Sequence, residues 1–185
     1  MATTKLITAE DLFLMEEDEG RFELIEGELR DMPPTGEEHG EISALLTSFL
    51  VIHARQHELG TVYAAETGFF MARNPDVVLA PDVAFVSAGR LAEDRDRRKY
   101  VDIAPDLVVE VISPSESAGD VSNKVQRYLN AGVRLVWVVH PQTRTVDVYR
   151  ADRTWDNHEV GDELDGGTVL PEFKLLLSDL FEYSR

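Results

Sequence analysis

The amino-acid sequence predicts an α/β fold in which helices flank a central mixed β-sheet. One long amphipathic helix comes before a series of short β-rich runs, and a second helix separates two of those runs. Both of these runs are apolar at nearly every position, which is typical of central strands that are covered on both faces. The chain has 185 residues and no low-complexity linker, so we expect residues 1–185 to form one domain.

Two short elements precede the long helix. Thr8 and Asp11 have the spacing of a capping box, which predicts a short helix that ends near Gly20. Residues 22–32 alternate between apolar and polar side chains around Glu26-Gly27, and this pattern predicts a small hairpin. We therefore expect a helix and a hairpin at the start of the chain.

A long helical pattern lies between residues 36 and 59. This segment contains no proline, and its apolar residues recur at spacings of three and four, as they do on one face of an amphipathic helix. These apolar residues are Ile42, Leu45, Leu46, Phe49, Leu50 and Ile52. The segment predicts a long helix that ends at Gly60 and packs on one face of the sheet.

Six short runs rich in Val, Ile and Tyr predict the strands of the sheet. They cover residues 61–65, 69–72, 82–87, 107–113, 133–140 and 145–150. Residues 120–131 predict a helix between the fourth and fifth of these strands. Because two parallel strands need a long connection, this order predicts a crossover helix between them.

The composition excludes several kinds of functional site. The sequence contains no cysteine, so it can form no disulfide, no cysteine-ligated metal site and no thiolate nucleophile. A metal ion would have to bind oxygen or imidazole ligands. The N-terminus lacks the pattern of a signal peptide, and no window reaches about 18 apolar residues. We therefore expect a soluble, cytoplasmic protein with no membrane partner.

Charge is distributed unevenly along the chain. Its 18 Lys and Arg residues and 35 Asp and Glu residues give a net charge of −17. Residues 1–60 hold 14 acidic and 4 basic residues, whereas residues 90–99 and 121–153 are locally basic. An acidic surface repels nucleic acid and weakens the counterion release that drives its binding. We therefore expect any affinity for DNA to be weak, or conditional on divalent ions.

Two carboxylates lie at positions where a charge needs a partner. Asp82 follows a proline at the start of a predicted strand, and Glu110 lies inside the apolar run 107–112. One interpretation is a buried salt bridge, or a glutamate at a strand end that reaches solvent. The other is a divalent metal site, because Mg²⁺ prefers oxygen ligands and keeps several waters, so that two carboxylates and a backbone carbonyl suffice.

Lys124 is the basic residue that the pattern places near Glu110. It lies on the predicted helix 120–131, which the turn Ser113-Pro114 directs back over the end of the Glu110 strand. An ammonium there could hold a water molecule as it loses a proton, or stabilise charge on a phosphate. The alternative is an ordinary pair with Asp120 on the same helix.

Several of these segments together resemble the Uma family, a large bacterial family of restriction endonucleases in the PD-(D/E)XK nuclease superfamily. The segments are Pro-Asp-Val-Ala-Phe-Val-Ser at residues 81–87, Ala-Pro-Asp-Leu-Val-Val-Glu-Val-Ile-Ser-Pro-Ser at residues 104–115, Lys124, Tyr128, Ala-Gly-Val at residues 131–133 and Val-Trp-Val-Val at residues 136–139. The resemblance extends from residue 22 to about residue 150. It implies a restriction-endonuclease-like core, a mixed sheet flanked by helices.

The resemblance also implies roles for particular residues. Asp82 corresponds to the metal-binding aspartate, Glu110 to the second acidic residue, and the carbonyl of Val111 to a further ligand of Mg²⁺ or Mn²⁺. The chain departs from the superfamily pattern at Ile112, where the motif has lysine. Lys124 on the following helix matches the position to which this family has moved that lysine.

Other polar residues are weaker candidates for the same site. Glu66 is predicted on a strand before Asp82, and three residues lie at the start of the long helix, where nuclease folds of this type often place an acidic residue. They are Glu38, His39 and Glu41.

These observations predict a metal-dependent phosphodiesterase, a DNA endonuclease that acts through Asp82, Glu110 and Lys124. We expect a homodimer, because such nucleases commonly pair to cut two strands. One alternative is a nuclease-fold module that has lost activity and serves in dimerisation or regulation. Another is a metal-dependent hydrolase of small phosphorylated substrates.

Overall fold

The structure is a computed structural model that describes residues 6–15 and 20–182. The helices are α1 (Ala9–Phe13), α2 (Glu37–Gln56), α3 (Ala118–Asn130) and α4 (Leu177–Phe181). The strands are β1 (Phe22–Ile25), β2 (Glu28–Asp31), β3 (Gly60–Ala64), β4 (Phe69–Ala72), β5 (Val77–Leu79), β6 (Val83–Ser87), β7 (Leu107–Val111), β8 (Leu135–His140), β9 (Thr145–Arg150), β10 (Trp155–Glu159), β11 (Glu163–Asp165) and β12 (Lys174–Leu176). None of the helices in these described ranges is long and apolar enough to cross a bilayer.

A six-stranded mixed sheet forms the centre of the fold. Its strand order is β10-β9-β8-β7-β6-β3, and β7 and β8 are parallel while the other neighbours are antiparallel. Helix α3 connects the parallel pair, as the order of elements in the sequence predicts. Both β7 and β8 have buried side chains on both faces because each lies between two other strands of a covered sheet. The predicted α/β fold class, a mixed sheet flanked by helices, is confirmed.

The two faces of this sheet are covered by different elements. Helix α2 packs on one face, where Ile42 and Leu50 join a core that includes the fully buried Trp137. Helix α3 packs on the other face through Val125 and Tyr128. That second face is also covered by β4 and β5, which belong to a four-stranded sheet of order β2-β1-β5-β4. Charged side chains of α3 and of this smaller sheet meet in the space between them.

The beginning of the chain differs in one boundary from the sequence prediction. Thr8 caps α1 with the predicted capping box, but the helix ends at Phe13 and does not continue to Gly20. Only Ala9 and Leu12 of this helix are buried, and the following Leu14 is 71 % exposed. One turn therefore suffices to cover the core at this point. Residues 16–19 of the predicted helix lie outside the described residues.

The hairpin and the long helix agree with their predicted patterns. Strands β1 and β2 are joined by Glu26 and Gly27, which both have positive φ angles, as a tight hairpin turn requires. Helix α2 ends at Gln56, earlier than the predicted end at Gly60, and Gly60 is the first residue of β3. Glycine is required there because a Cβ would lie 2.1 Å from the Val86 carbonyl oxygen.

Candidate functional site

Asp82 immediately precedes β6, and Glu110 lies on the neighbouring strand β7. Strands β6 and β7 pair in the register Val83 with Val109 and Ala84 with Val108. Because side chains alternate along a strand, Glu110 is on the same face of β7 as Val108, the face that α3 covers. The Asp82 carboxylate lies at the same end of this strand pair, where it contacts the Val111 N–H and His39 of α2.

Strand β6 begins at Val83, after Pro81 and Asp82. Ahead of this residue, the Asp82 side chain replaces the backbone as the hydrogen-bond partner of β7. Proline has no N–H group to donate to a sheet. The Asp82 carboxylate accepts a hydrogen bond from the Val111 N–H, with 2.7 Å between Oδ2 and N. Asp82 thus satisfies a backbone group of β7 that no backbone carbonyl of β6 reaches, and this bond fixes the position of its carboxylate.

An aspartate at the opposite end of the same strand pair makes the reciprocal contact. Asp106 immediately precedes β7, and its Oδ2 accepts a hydrogen bond from the Ser87 N–H at the end of β6, over 2.8 Å. Arg90 and Arg134 neutralise this carboxylate at 2.8 and 2.9 Å. Because Asp106 lies at the far end of β7 from Glu110, we assign it a structural role.

Glu110 is buried between two side chains of α3. Glu110 is only 6 % exposed. Its Oε2 accepts a hydrogen bond from the Lys124 ammonium over 2.9 Å, and its Oε1 accepts one from the Tyr128 hydroxyl. Lys124 and Tyr128 reach the same carboxylate because residues four apart lie on one face of a helix. The structure therefore brings Glu110 and Lys124 together as the sequence predicts. Asp120 instead bonds with the N-cap Ser117.

The pKa of Glu110 shows how costly this position is for a charge. Burial raises the pKa of Glu110 to about 7, and although the Lys124 ammonium opposes that rise, the charges of Asp82 and Glu23 reinforce it. Burial lowers the pKa of Lys124, but the carboxylates of Glu110 and Glu23 outweigh burial and raise it overall. Lys124 is therefore held as a cation in a pocket of carboxylates.

Asp82, Glu110 and Lys124 form one carboxylate cluster with Glu23, a residue that no sequence pattern had indicated. It lies on β1 and is 8 % exposed; its Oε1 accepts a hydrogen bond from the Ala80 N–H over 3.0 Å and lies 3.4 Å from the Lys124 ammonium. Because side chains alternate along the hairpin, Glu23 and the buried Leu24 point to opposite faces of β1. This alternation was the signal in the sequence from which the direction of Glu23 could have been predicted. The sequence did not indicate that α3 covers the other side of that hairpin.

Of the weaker candidates, His39 alone reaches the cluster. Its Nε2 lies 3.2 Å from Asp82 Oδ2. Burial lowers the pKa of His39, but the hydrogen bond and charge of Asp82 outweigh burial and raise the pKa overall. Glu38 and Glu41 are exposed at the start of α2. Glu66 lies in the turn after β3, which corrects its predicted place on a strand, and it forms an ion pair with Arg21.

The oxygen atoms around Asp82 and Glu110 are the candidate ligands for a hard divalent cation. The N–H and C=O of one strand residue point to the same side, so the Val111 carbonyl is directed to the edge where its N–H meets Asp82. In the described part of the chain, no group of three or more His, Asp and Glu side chains is arranged to hold a metal ion. Two carboxylates, one backbone carbonyl and water could together supply oxygen ligands to Mg²⁺, because Mg²⁺ usually keeps several waters.

The six-stranded mixed sheet flanked by helices defines an α/β protein with a restriction-endonuclease-like core. A model of the Uma2 family, described as "Putative restriction endonuclease", matches residues 9–178, so the chain belongs to the Uma2 family. The resemblance that the sequence predicts is confirmed, and membership of this family supports the class of nucleases for this protein. No functionally curated protein matches the chain in sequence.

A solved structure shares this fold over nearly its whole length. It is a crystal structure from Anabaena variabilis described as a putative nuclease belonging to DUF820. The two chains are 23 % identical and superpose with a TM-score of 0.79, over 96 % of this chain and 98 % of the other. At this level of identity the match shows a common fold.

Proposed function

We propose that the protein is an Mg²⁺-dependent phosphodiesterase that cleaves DNA. The observation that carries the proposal is the convergence of Asp82, Glu110 and the Lys124 ammonium at one end of β6 and β7, with the Val111 carbonyl directed to the same place. Two carboxylates beside a cation and a carbonyl provide ligands for a metal and a positive charge for a phosphate. Membership of a nuclease-type family makes DNA the favoured substrate.

Asp82, Glu110 and the Val111 carbonyl would hold the metal, Mg²⁺ or Mn²⁺. Both contacts of Asp82 described above use Oδ2, and among the described residues Oδ1 has no partner, so Oδ1 is the oxygen available to a cation. When bound, such an ion lowers the pKa of a coordinated water and neutralises charge on the scissile phosphate. His39 holds the Asp82 carboxylate in its orientation from the side of α2.

Lys124 would supply the positive charge of the site. Its ammonium is held by Glu23 as well as by Glu110, and Glu23 would keep it in place beside a bound phosphate. There it orients the attacking water and stabilises the negative charge that builds on the phosphoryl oxygens, an electrostatic contribution that typically amounts to about 100-fold or more in rate. No covalent intermediate with the protein is required.

Nicking of supercoiled plasmid tests this proposal. We expect nicking with Mg²⁺ or Mn²⁺ and none with EDTA, and we expect Asp82→Asn and Glu110→Gln to abolish it. Glu38→Gln and Glu66→Gln are matched controls, because they remove the same charge at exposed positions outside the cluster. Nicking that survives both carboxylate substitutions would contradict the proposal.

One observation favours a second candidate function. Both oxygens of Glu110 are already bonded, one to Lys124 and one to Tyr128, so the cluster could also serve as a closed polar core. In that case the protein is an inactive nuclease-fold module used in dimerisation or regulation. A folded wild-type protein that neither binds Mn²⁺ nor nicks DNA would support this candidate.

We also propose that the protein acts as a homodimer in the cytoplasm. One copy carries one cluster of this kind among its described residues, and cutting both strands of a duplex at one place needs two such sites. The absence of cysteine in the sequence, and hence of disulfides, is typical of proteins in a reducing compartment and supports the location.

A further inference from the structure

A second surface with charged and aromatic side chains lies apart from the carboxylate cluster. It is a groove of about 910 Å³ formed by described residues of α1, of strand β4 and of the segment 90–103. This segment runs along the edge of β4, where the Phe70 N–H donates a hydrogen bond to the Val101 carbonyl over 3.0 Å. The volume is near the upper end of the range for ligand clefts, about 300–1,000 Å³.

Basic side chains slightly outnumber acidic ones in the lining of the groove. The lining includes the basic residues Arg73, Arg90, Arg95, Arg97 and Lys99 and the acidic residues Glu10, Asp76, Asp96 and Asp102. Arg73 is paired with Asp102, and Arg90 with Asp106. The side chains of Arg97 and Lys99 form no ion pair with any residue that the structure describes. On a chain with a net charge of −17, a groove with more basic than acidic side chains repels a phosphate less than a purely acidic surface does.

Aromatic rings line the same groove. Phe13 is 40 % exposed, and its ring meets the edge of Tyr100 with 5.5 Å between centroids. Tyr100 in turn lies 6.4 Å from Phe70, and the Arg73 guanidinium lies 3.9 Å above the Phe70 ring. Cations along a groove combined with partly exposed aromatic faces are the means by which proteins bind single-stranded nucleic acid, through phosphates and stacked bases respectively.

The groove and the carboxylate cluster are associated with the same face of the six-stranded sheet. Tyr63 lines the groove and is the cross-strand partner of Ala84. Asp82 lies two residues before Ala84, ahead of the first residue of β6. Ala84 is buried beneath β4 and β5, so the groove and the carboxylate cluster are separate surfaces that share the core of this face.

We propose that this groove binds a single-stranded segment of DNA, with phosphates on Arg97 and Lys99 and bases against Phe13 and Tyr100. This inference rests on the proposed function for its choice of substrate, and it adds the surface that holds the strand. Because the groove is open and lined by side chains without base-specific geometry, binding is not sequence-specific. It needs no divalent cation, in contrast to cleavage.

Fluorescence anisotropy with a labelled oligothymidylate in EDTA tests the groove separately from cleavage. We expect Arg97→Gln with Lys99→Gln to raise Kd at least tenfold. The slope of log K against log salt should fall by about 1.4, since each phosphate contact on a single strand contributes about 0.7. Arg55→Gln with Arg153→Gln removes the same charge at exposed positions outside the groove, and we expect it to change Kd less than twofold. Equal effects of the two double variants would overturn the proposal.

A second comparison separates stacking from charge. Phe13→Ala should raise Kd for the oligonucleotide by about tenfold, because base stacking on an aromatic ring is of that size. Ile52→Ala, which truncates a similarly exposed apolar residue on α2, should leave Kd unchanged. Heparin, a polyanion without bases, serves as the reference ligand, and its Kd should not respond to Phe13→Ala. If the Phe13 change has no effect on oligonucleotide binding either, the groove holds polyanions in general and the proposal fails.

The two proposals fail in different ways. Binding in EDTA that depends on Arg97 and Lys99, without any nicking in Mg²⁺, would keep the groove and remove the phosphodiesterase. Metal-dependent nicking that depends on Asp82 and Glu110, with oligonucleotide binding unaffected by the groove substitutions, would keep the phosphodiesterase and remove the groove.

Discussion

The Lys124 ammonium lies 3.4 Å from the Glu23 carboxylate, so that an ion pair joins α3 to strand β1 of the smaller sheet. Lys124 also lies 2.9 Å from Glu110, which belongs to the central sheet. One half-buried cation thus connects α3 both with the preceding strand β7 and with the distant strand β1. Glu23 is the second carboxylate partner of Lys124.

Glu23→Gln should therefore weaken both the fold and the site. The amide can still accept the hydrogen bond from the Ala80 N–H, but Lys124 loses one of its two negative partners. We expect the free energy of unfolding to fall by about 1–3 kcal/mol in urea titrations and the nicking rate to fall by about tenfold. Glu26→Gln is the control: Glu26 pairs with Arg127 at the surface and is 60 % exposed, so its loss should cost less than about 1 kcal/mol. Equal effects of the two changes would contradict the anchoring role.

Lys124→Ala should lower plasmid nicking by about 100-fold or more, because the developing charge on the phosphate loses its cation. It also leaves Glu110 buried beside Asp82 and Glu23 without the ammonium that opposes the rise of its pKa. Lys124→Arg, which keeps the charge, should fold and retain more nicking than the alanine variant. Lys174→Ala removes an exposed lysine paired with Glu163 and should have no effect on nicking. A Lys124→Ala protein that folds and nicks at the wild-type rate would exclude the catalytic role.

Asp106 should make the fold sensitive to acid. Burial raises the pKa of Asp106, but hydrogen bonds from the Ser87 N–H and from Arg90 outweigh burial and lower it overall. A carboxyl group whose pKa is lowered by folding contributes stability above its unfolded pKa of about 3.9, and this contribution is lost as the pH falls through the folded value. The difference in free energy of unfolding between wild type and Asp106→Asn should therefore be constant near pH 7 and shrink below about pH 4. A difference that stays constant down to pH 3 would show that the carboxylate charge is not stabilising.

The protein should be a dimer in solution, because cutting two strands of a duplex takes two copies of the Asp82 and Glu110 site. Light scattering coupled to size exclusion should give a mass near twice the 20.8 kDa of one chain. The Asp82→Asn variant serves as the control and should give the same mass, since the substitution preserves the shape of the side chain. A monomer at high protein concentration would contradict this prediction.

The central elements were predictable because their signals are local. The apolar runs that became β7 and β8, the 13-residue helix between them and the buried Glu110 all follow from patterns within a short segment. The four-residue spacing on α3 brings Lys124 and Tyr128 to one carboxylate, and the position of Lys124 near Glu110 was predicted from the sequence. The parts of the site that come from neighbouring segments could therefore be predicted before the structure.

The other parts of the site and fold depend on contacts between distant segments. Glu23 reaches Lys124 because the hairpin folds over α3, and no pattern around residue 23 records that contact. Glu66 lies in a turn with a positive φ angle of 73°, where the β-rich run before it had predicted a strand. Strand β5 has three residues, too few for periodicity to show, and β10 is exposed at the sheet edge at all but one position. Their strand character comes from the partners that pair with them.

The two aspartates at opposite ends of β6 and β7 have a consequence for the alignment of these strands. The paired residues of both strands are apolar on both faces, so a slip of one residue would bury as much apolar surface as the native alignment. Asp82 on the Val111 N–H and Asp106 on the Ser87 N–H can be satisfied together in one alignment only. Asp82, the proposed metal ligand, thus also favours the native register of β6 and β7. A molecule in which these strands pair in another register would lose the site as well.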